Sequence, residues 1–212
     1  MVLVRPPALL RLLYRDLIWR MPAEGKDLYL TFDDGPVPVV TPWVLDELRA
    51  HNARASFFVI GANAAAQPDL LERIRREGHS VGNHTWSHEN GWRTTLRAYM
   101  ASIERTQAIT GTPLFRPPYG RITRAQSRAM HARHDIVMWS VLSADYDTET
   151  GEEECLRNVL RHARPGSIIV FHDSLKAEQR LRFALPRVLS HFSGLGYVFK
   201  CLPVSGIKAA RS

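Results

Sequence analysis

Leu28-Tyr29-Leu30-Thr31-Phe32-Asp33-Asp34-Gly35-Pro36 decides how this chain is read. An apolar, β-prone run stops at two adjacent carboxylates, and Gly-Pro turns the backbone behind them. Both aspartates therefore fall at the carboxyl end of an expected strand, where α/β folds gather ligands and catalytic groups. Neighbouring carboxylates repel, so a fold that keeps both supplies a cation, a proton or water. Taken alone, Asp-Asp-Gly-Pro reads as a solvated turn. The remainder of the chain changes that weighting.

Working outward, Ala55-Ser56-Phe57-Phe58-Val59-Ile60-Gly61 is a continuous apolar run, as suits a strand buried on both faces. Further strands are expected at 80–83, 114–116, 135–142, 167–171 and 196–200. Helical segments lie between them. Thr41-Pro42 reads as an N-cap with proline at the first helical position. Pro68 opens a helix that Gly78 stops, and Thr94 or Thr95 caps a longer one. Residues 121–134 read as mostly helical, and Pro186 is expected to split the helix at 177–192. This alternation, about seven times over, implies a parallel sheet of βα units. The expected fold is α/β, a single-domain distorted (β/α)7-8 barrel smaller than the roughly 250-residue eightfold form. A doubly wound open sheet is the alternative. No Gly-x-Gly-x-x-Gly follows the first strand, which argues against a dinucleotide site.

Composition narrows the function classes. The 212 residues are 45% apolar, and 28 basic against 21 acidic residues give a charge of +7. No basic run is interleaved with aromatics, so nucleic acid is not an expected partner, while a mild attraction to anionic surfaces stays open. Cys155 and Cys201 have no metal-ligand spacing and read as free thiols. Residues 1–21 contain an apolar run far too short to span a membrane, and no small-residue cleavage site follows it. With no readable export signal, a cytoplasmic or peripheral location is expected. Leu9, Leu10, Leu13, Leu17 and Ile18 form one side of an expected helix there, read as core packing in preference to a surface-seeking face. The chain divides into an extension at 1–26 that packs on the barrel, a main domain at 27–202 and a tail at 203–212. It is expected to be a monomer.

Four more polar clusters follow expected strands, and strand ends on one face of a barrel converge. His84-Thr85-Trp86-Ser87-His88 places two imidazoles four residues apart, a spacing that one helical turn brings together. With a carboxylate they make a two-His, one-carboxylate set with positions left open for water and substrate. Arg116-Pro117-Pro118-Tyr119-Gly120 is a stiff turn whose arginine could hold a carboxylate bidentately. Trp139 leads into a polar loop with Asp145 and Asp147. Val170-Phe171-His172-Asp173 puts a histidine at a strand end, with Asp173 as a surface or capping carboxylate.

Together these five clusters resemble the polysaccharide deacetylases of carbohydrate esterase family 4, the NodB-homology fold, from about Leu28 to Cys201. Thr31 to Gly35 is similar to the first family motif, His84 to His88 to the second, Arg116 to Gly120 to the third and Val170 to His172 to the fifth. The resemblance implies that Asp34, His84 and His88 bind one divalent metal, zinc first, with cobalt, nickel or manganese as substitutes. Asp33 would be the general base on water, oriented by Arg116. The Tyr119 N–H would stabilise the oxyanion, and His172 would protonate the leaving amine. Pro118, Tyr119, Trp139 and Val170 would line the acetyl pocket.

The fourth motif departs from the family. An Asp-x-x-Asp-Trp pattern is replaced by Leu142-Ser143-Ala144-Asp145-Tyr146, and Ser140 follows Trp139. Asp145 is then the residue expected to orient His172 and raise its pKa. The implied activity is removal of N-acetyl groups from an N-acetylated oligo- or polysaccharide of peptidoglycan or chitin type. O-deacetylation of xylan, hydrolysis of small amides, and glycan binding without turnover are the alternatives.

Overall fold

A computed structural model describes residues 3–23, 25–204 and 207. Eight strands form one curled sheet: β1 (Asp27–Asp33), β2 (Ala55–Val59), β3 (Ser80–Asn83), β4 (Leu114–Phe115), β5 (Asp135–Ile136), β6 (Val141–Leu142), β7 (Ile168–His172) and β8 (Val198–Phe199). All pairings are parallel, in the order β5-β4-β3-β2-β1-β7-β6, with β8 beside the start of β1. Eight helices are described: α1 (Ala8–Leu13), α2 (Val40–Ala50), α3 (Gly61–Ala66), α4 (Pro68–Arg76), α5 (Leu96–Thr110), α6 (Arg124–Met130), α7 (Glu152–His162) and α8 (Glu178–Gly194). This is the expected distorted α/β barrel in one domain, and the doubly wound alternative falls away.

β1 lies inside the sheet, between β2 and β7, and is buried along its whole length. Its side chains alternate between two apolar layers. Leu28, Leu30 and Phe32 enter the layer beneath the helices, and Tyr29 enters the inner layer with Phe58, Val137 and Ile168. Phe32 stacks with Phe57 at 5.1 Å and Phe171 at 6.2 Å, both on adjacent strands. Burial of each such ring contributes about 1.5–3 kcal/mol. Thr31 and Asp33 share the inner face with Tyr29, by the same alternation.

Several local expectations are corrected. The single strand at 135–142 is two, β5 and β6 on opposite edges of the sheet. Between them Val137 pairs with Ile18 of the N-terminal segment, and Ser140 N–H turns to the Ile168 carbonyl. Residues 18–21 thus lie across the open side of the barrel: Met138 N–H donates to Ile18, and Met21 N–H to Gly166. The N-terminal helix is shorter than expected. Leu17 and Ile18 are buried beyond its end, whereas Leu9, Leu10 and Leu13 are exposed on it. Pro186 sits inside a continuous α8, which is held by buried Leu181, Ala184, Leu185, Val188 and Leu189. Thr41 is not an N-cap, because α2 starts at Val40 and the Thr41 hydroxyl serves the loop before it. Both cysteines are free thiols, as expected.

Candidate active site

The parallel register places the polar residues. Asp33 at the end of β1 is paired with His172 at the end of β7. β2, β3 and β4 end at the same rim, so the residues after β3 and β4 face the same space. The cleft there holds about 610 Å³ and is lined by Asp33, Asp34, His84, His88, Tyr119, Trp139, Val170 and His172. Pro117, Gly120, Arg121, Leu142, Tyr146, Ser174 and Lys176 complete its wall. Pro118, expected on the pocket surface, is buried within that turn and does not line the cleft; Pro117, also buried, does.

Asp34 has φ 80, a left-handed backbone rare for a residue with a Cβ. Its carbonyl accepts from Asn63 Nδ2 at 2.7 Å, which helps hold that turn. Its Oδ1 is buried without a hydrogen bond among the described residues, 3.2 Å from His88 Nε2 and 3.7 Å from His84 Nε2. Ligand atoms of Asp34, His84 and His88 all lie within 4.8 Å of one another. An orphaned buried carboxylate oxygen facing two imidazoles fits a cation. His84 Nδ1 lies 2.8 Å from the Arg116 carbonyl; donation there leaves Nε2 as the lone-pair nitrogen. Burial pushes the His84 pKa down to about 4, so the ring is a neutral ligand near pH 7. Burial alone would raise the Asp34 pKa, but the adjacent His88 imidazole and the charge of His172 hold it below the usual carboxylate range. The two histidines are not on a helix: the segment is a loop with Thr85 at φ 63 and His88 at φ 60.

Behind Asp33 stands Arg116, fully buried at 0% exposure. Its Nη1 donates to Asp33 Oδ1 and Thr31 Oγ1, each at 2.7 Å. Nε reaches the Val137 carbonyl at 3.2 Å and Nη2 the Met138 carbonyl at 3.0 Å. The guanidinium lies over the Phe58 ring at 4.1 Å. Arg116 thus holds Asp33 through one nitrogen, not the bidentate fork, because its other donors bind the wall. Tyr119 sits in a 3₁₀ turn at φ 59, its ring 4.5 Å from that of His88.

Beside Asp33, at the end of β7, His172 meets Asp145. Nδ1 lies 2.8 Å from Asp145 Oδ1, and the His172 N–H donates to Oδ2 at 2.7 Å. Asp145 is fully buried, and Ser143 Oγ donates to the same Oδ1. Burial would lower the His172 pKa, but the Asp145 charge and hydrogen bond outweigh it and push it up to about 9. Tyr146 packs edge-on against the imidazole at 5.0 Å. Asp147 stays apart, accepting from Glu149 N–H in its own turn.

Asp173 is corrected from a surface group to a buried one. Its Oδ1 accepts from Gly35 N–H at 3.1 Å and its Oδ2 from Thr41 at 2.6 Å. Burial pushes its pKa up to about 8. A Cβ on Gly35 would fall 2.0 Å from that carboxylate, which is why glycine follows the aspartate pair. Thr31, Asn63, Thr41 and Asp173 were not picked out as site residues by sequence; only the polar character of Thr31 within an apolar strand could have flagged one of them.

The chain matches the family model described as polysaccharide deacetylase over residues 20–137. It is 36% identical to a Bacillus cereus peptidoglycan-N-acetylglucosamine deacetylase over 86% of this chain and 69% of that one. It is 33% identical to a Sinorhizobium fredii chitooligosaccharide deacetylase over 89% of this chain and 97% of the relative. The crystal structure of the Bc1960 peptidoglycan N-acetylglucosamine deacetylase superposes with a TM-score of 0.85 at 32% identity, over 93% of this chain and 95% of that one. The match covers more than half of the sequence, and the sheet that carries Asp33, His84, Arg116 and His172 to one rim is shared; the chain belongs to the polysaccharide deacetylase family, carbohydrate esterase family 4, and is a hydrolase.

Proposed function

We propose that this protein hydrolyses the acetamide of N-acetylglucosamine residues in a peptidoglycan- or chitin-type glycan. The observation that carries this is the gathering at one cleft of two oriented groups, Asp33 on Arg116 and His172 on Asp145, together with Asp34, His84 and His88. Amide hydrolysis needs a base for water, stabilisation of a tetrahedral oxyanion and an acid for a poor leaving amine.

Asp33, aimed by Arg116, takes a proton from the attacking water. The oxyanion is met by the N–H of Tyr119, whose left-handed backbone fixes where that peptide points. His172 keeps its proton up to about pH 9 and delivers it to the leaving nitrogen. The products are acetate and a free amine, so water's atoms are fully accounted for. Asp34, His84 and His88 would hold a divalent ion, zinc by their two-imidazole, one-carboxylate chemistry. When bound, that ion supplies Lewis-acid polarisation of the acetyl carbonyl and makes water easier to deprotonate. Trp139, Leu142 and Val170 offer an apolar wall for the acetyl methyl. Leu142 stands where an acidic residue was expected, and its side chain lines the cleft.

The relatives named for peptidoglycan and chitooligosaccharides support the glycan assignment. The test is acetate release from defined chitooligosaccharides and from purified peptidoglycan, with zinc added to chelator-stripped protein. Zinc-dependent acetate from either is expected. Release from acetylated xylan or small amides alone would replace this assignment.

A further inference from the structure

We propose that the N-terminal segment is a docking surface for an anionic lipid bilayer. α1 buries none of its residues. Leu9, Leu12 and Leu13 are 65%, 53% and 57% exposed, and Leu3 just before the helix is 63% exposed. Leu9 and Leu13 lie one turn apart, on the side of the helix away from Arg11. Leucines left in water at this density, on one short segment, are unlike the scattered exposed leucine of an ordinary surface.

A second, independent observation concerns charge. Beside α1 a small cavity is lined by Arg5, Arg11, Arg20, Arg164 and His162, together with Pro6, Ser140 and Ser167. No carboxylate is among its described lining residues. The Nε of Arg11 is buried there with no hydrogen-bond partner among the described residues. Arg20 and Arg164 already donate to the carbonyls of Pro165 and Ala163, which holds their guanidinium groups at the cavity. Forked, permanently charged donors suit the several acceptor oxygens of a phosphate. Exposed leucines and phosphate-matched arginines on one segment are the two halves of an interfacial anchor, with apolar groups toward the acyl chains and cations among the headgroups.

Placement in the fold agrees with that use. Ser167 of the cavity immediately precedes β7, and catalytic-cleft His172 ends it. Five strand residues separate the two ends by about 16 Å. The arginine cavity and the cleft therefore lie at opposite ends of β7.

The experiment is sedimentation of the full chain with vesicles of phosphatidylcholine, alone or mixed with phosphatidylglycerol. Binding at least about tenfold tighter to the anionic vesicles, weakened by high salt, is expected. The double variant Leu9→Glu/Leu13→Glu should lose vesicle binding. Arg5→Ala/Arg11→Ala should bind anionic vesicles about thirtyfold more weakly, at about tenfold for each 1.4 kcal/mol and about 1 kcal/mol for each arginine. None of these residues lies in the cleft, so both variants should keep the parental unfolding midpoint. The proposal is overturned by absence of binding to either vesicle or by equal binding to neutral and anionic vesicles. It also fails if the leucine variant binds as the parent does, or if heparin is bound while vesicles are not.

Discussion

At the scale of single residues, the cleft is governed by two buried charge pairs that do different work. Asp145 decides whether His172 carries a proton, because burial alone would strip it. A histidine with a raised pKa is protonated below that value and loses its donor role as pH rises through it. Asp145→Asn should therefore move the alkaline limb of the kcat profile from near pH 9 to below the ordinary histidine value of 6.5. At pH 8 turnover should fall at least about tenfold with bound metal unchanged. An alkaline limb that stays in place would remove His172 as the acid. Arg116 is a structural cation as well as a positioning one. Replacing it with Met leaves Asp33 as an unpaired buried carboxylate and should cost about 3–5 kcal/mol, read from urea unfolding. Arg116→Met/Asp33→Asn should recover part of that loss; a single variant as stable as the parent would show that Asp33 is solvated. Asp145 was legible in the sequence because the fourth motif retained one acidic residue in the right place. Asp173 was not, since a carboxylate after a strand end looks the same whether it faces water or, as here, a glycine N–H and a threonine hydroxyl across the cleft wall.

At the scale of elements, local chemistry named most strands and helices, and tertiary contacts redrew some of their edges. Thr95 caps α5 through the Ala98 N–H, and Gly111 in the left-handed region ends it, both as residue type predicts. Pro186 is the instructive exception. Proline in a helix interior costs about 3 kcal/mol against alanine. α8 absorbs this because its apolar stripe is sandwiched between α7 and the sheet layer. Pro186→Ala should therefore stabilise the protein by about 2 kcal/mol, after subtracting up to about 1 kcal/mol for the freer unfolded chain. For a chain of this size that raises the melting temperature by roughly 4–8 °C. An unchanged or lower melting temperature would mean that α8 is built around the proline. The segment after β4 shows the same principle at the site. Its Gly120 has φ 66 and packs against the Trp139 ring, where a Cβ would come within 2.5 Å.

Across the whole molecule, the three candidate ligands come from the turn after β1 and from the loop after β3, so a bound ion ties two parts of the sheet together. Ligands that bind only the folded chain add stability by mass action. Saturating zinc at one hundred times its dissociation constant should stabilise by about 2.7 kcal/mol relative to chelated protein, seen as a higher melting temperature. His84→Ala should abolish that shift and the zinc-dependent activity together. A melting temperature indifferent to zinc in the parent protein would contradict the ligand set. Among the described residues no helix is long and apolar enough to cross a membrane.

Sequence by itself determined the alternation of strands and helices, the polar residue placed at each strand end and the family those residues resemble. Those features depend on periodicity and residue type, which a linear chain carries in full. Only the tertiary structure decided that the chain between β5 and β6 crosses to the other edge of the sheet, and that residues 18–21 lie over the open side. It alone set Arg116 to hold Asp33 with one nitrogen, and left the leucines of α1 in water. Each of these outcomes depends on what lies opposite a residue, and an apolar side chain carries no mark of whether its partner is another side chain, a bilayer or water.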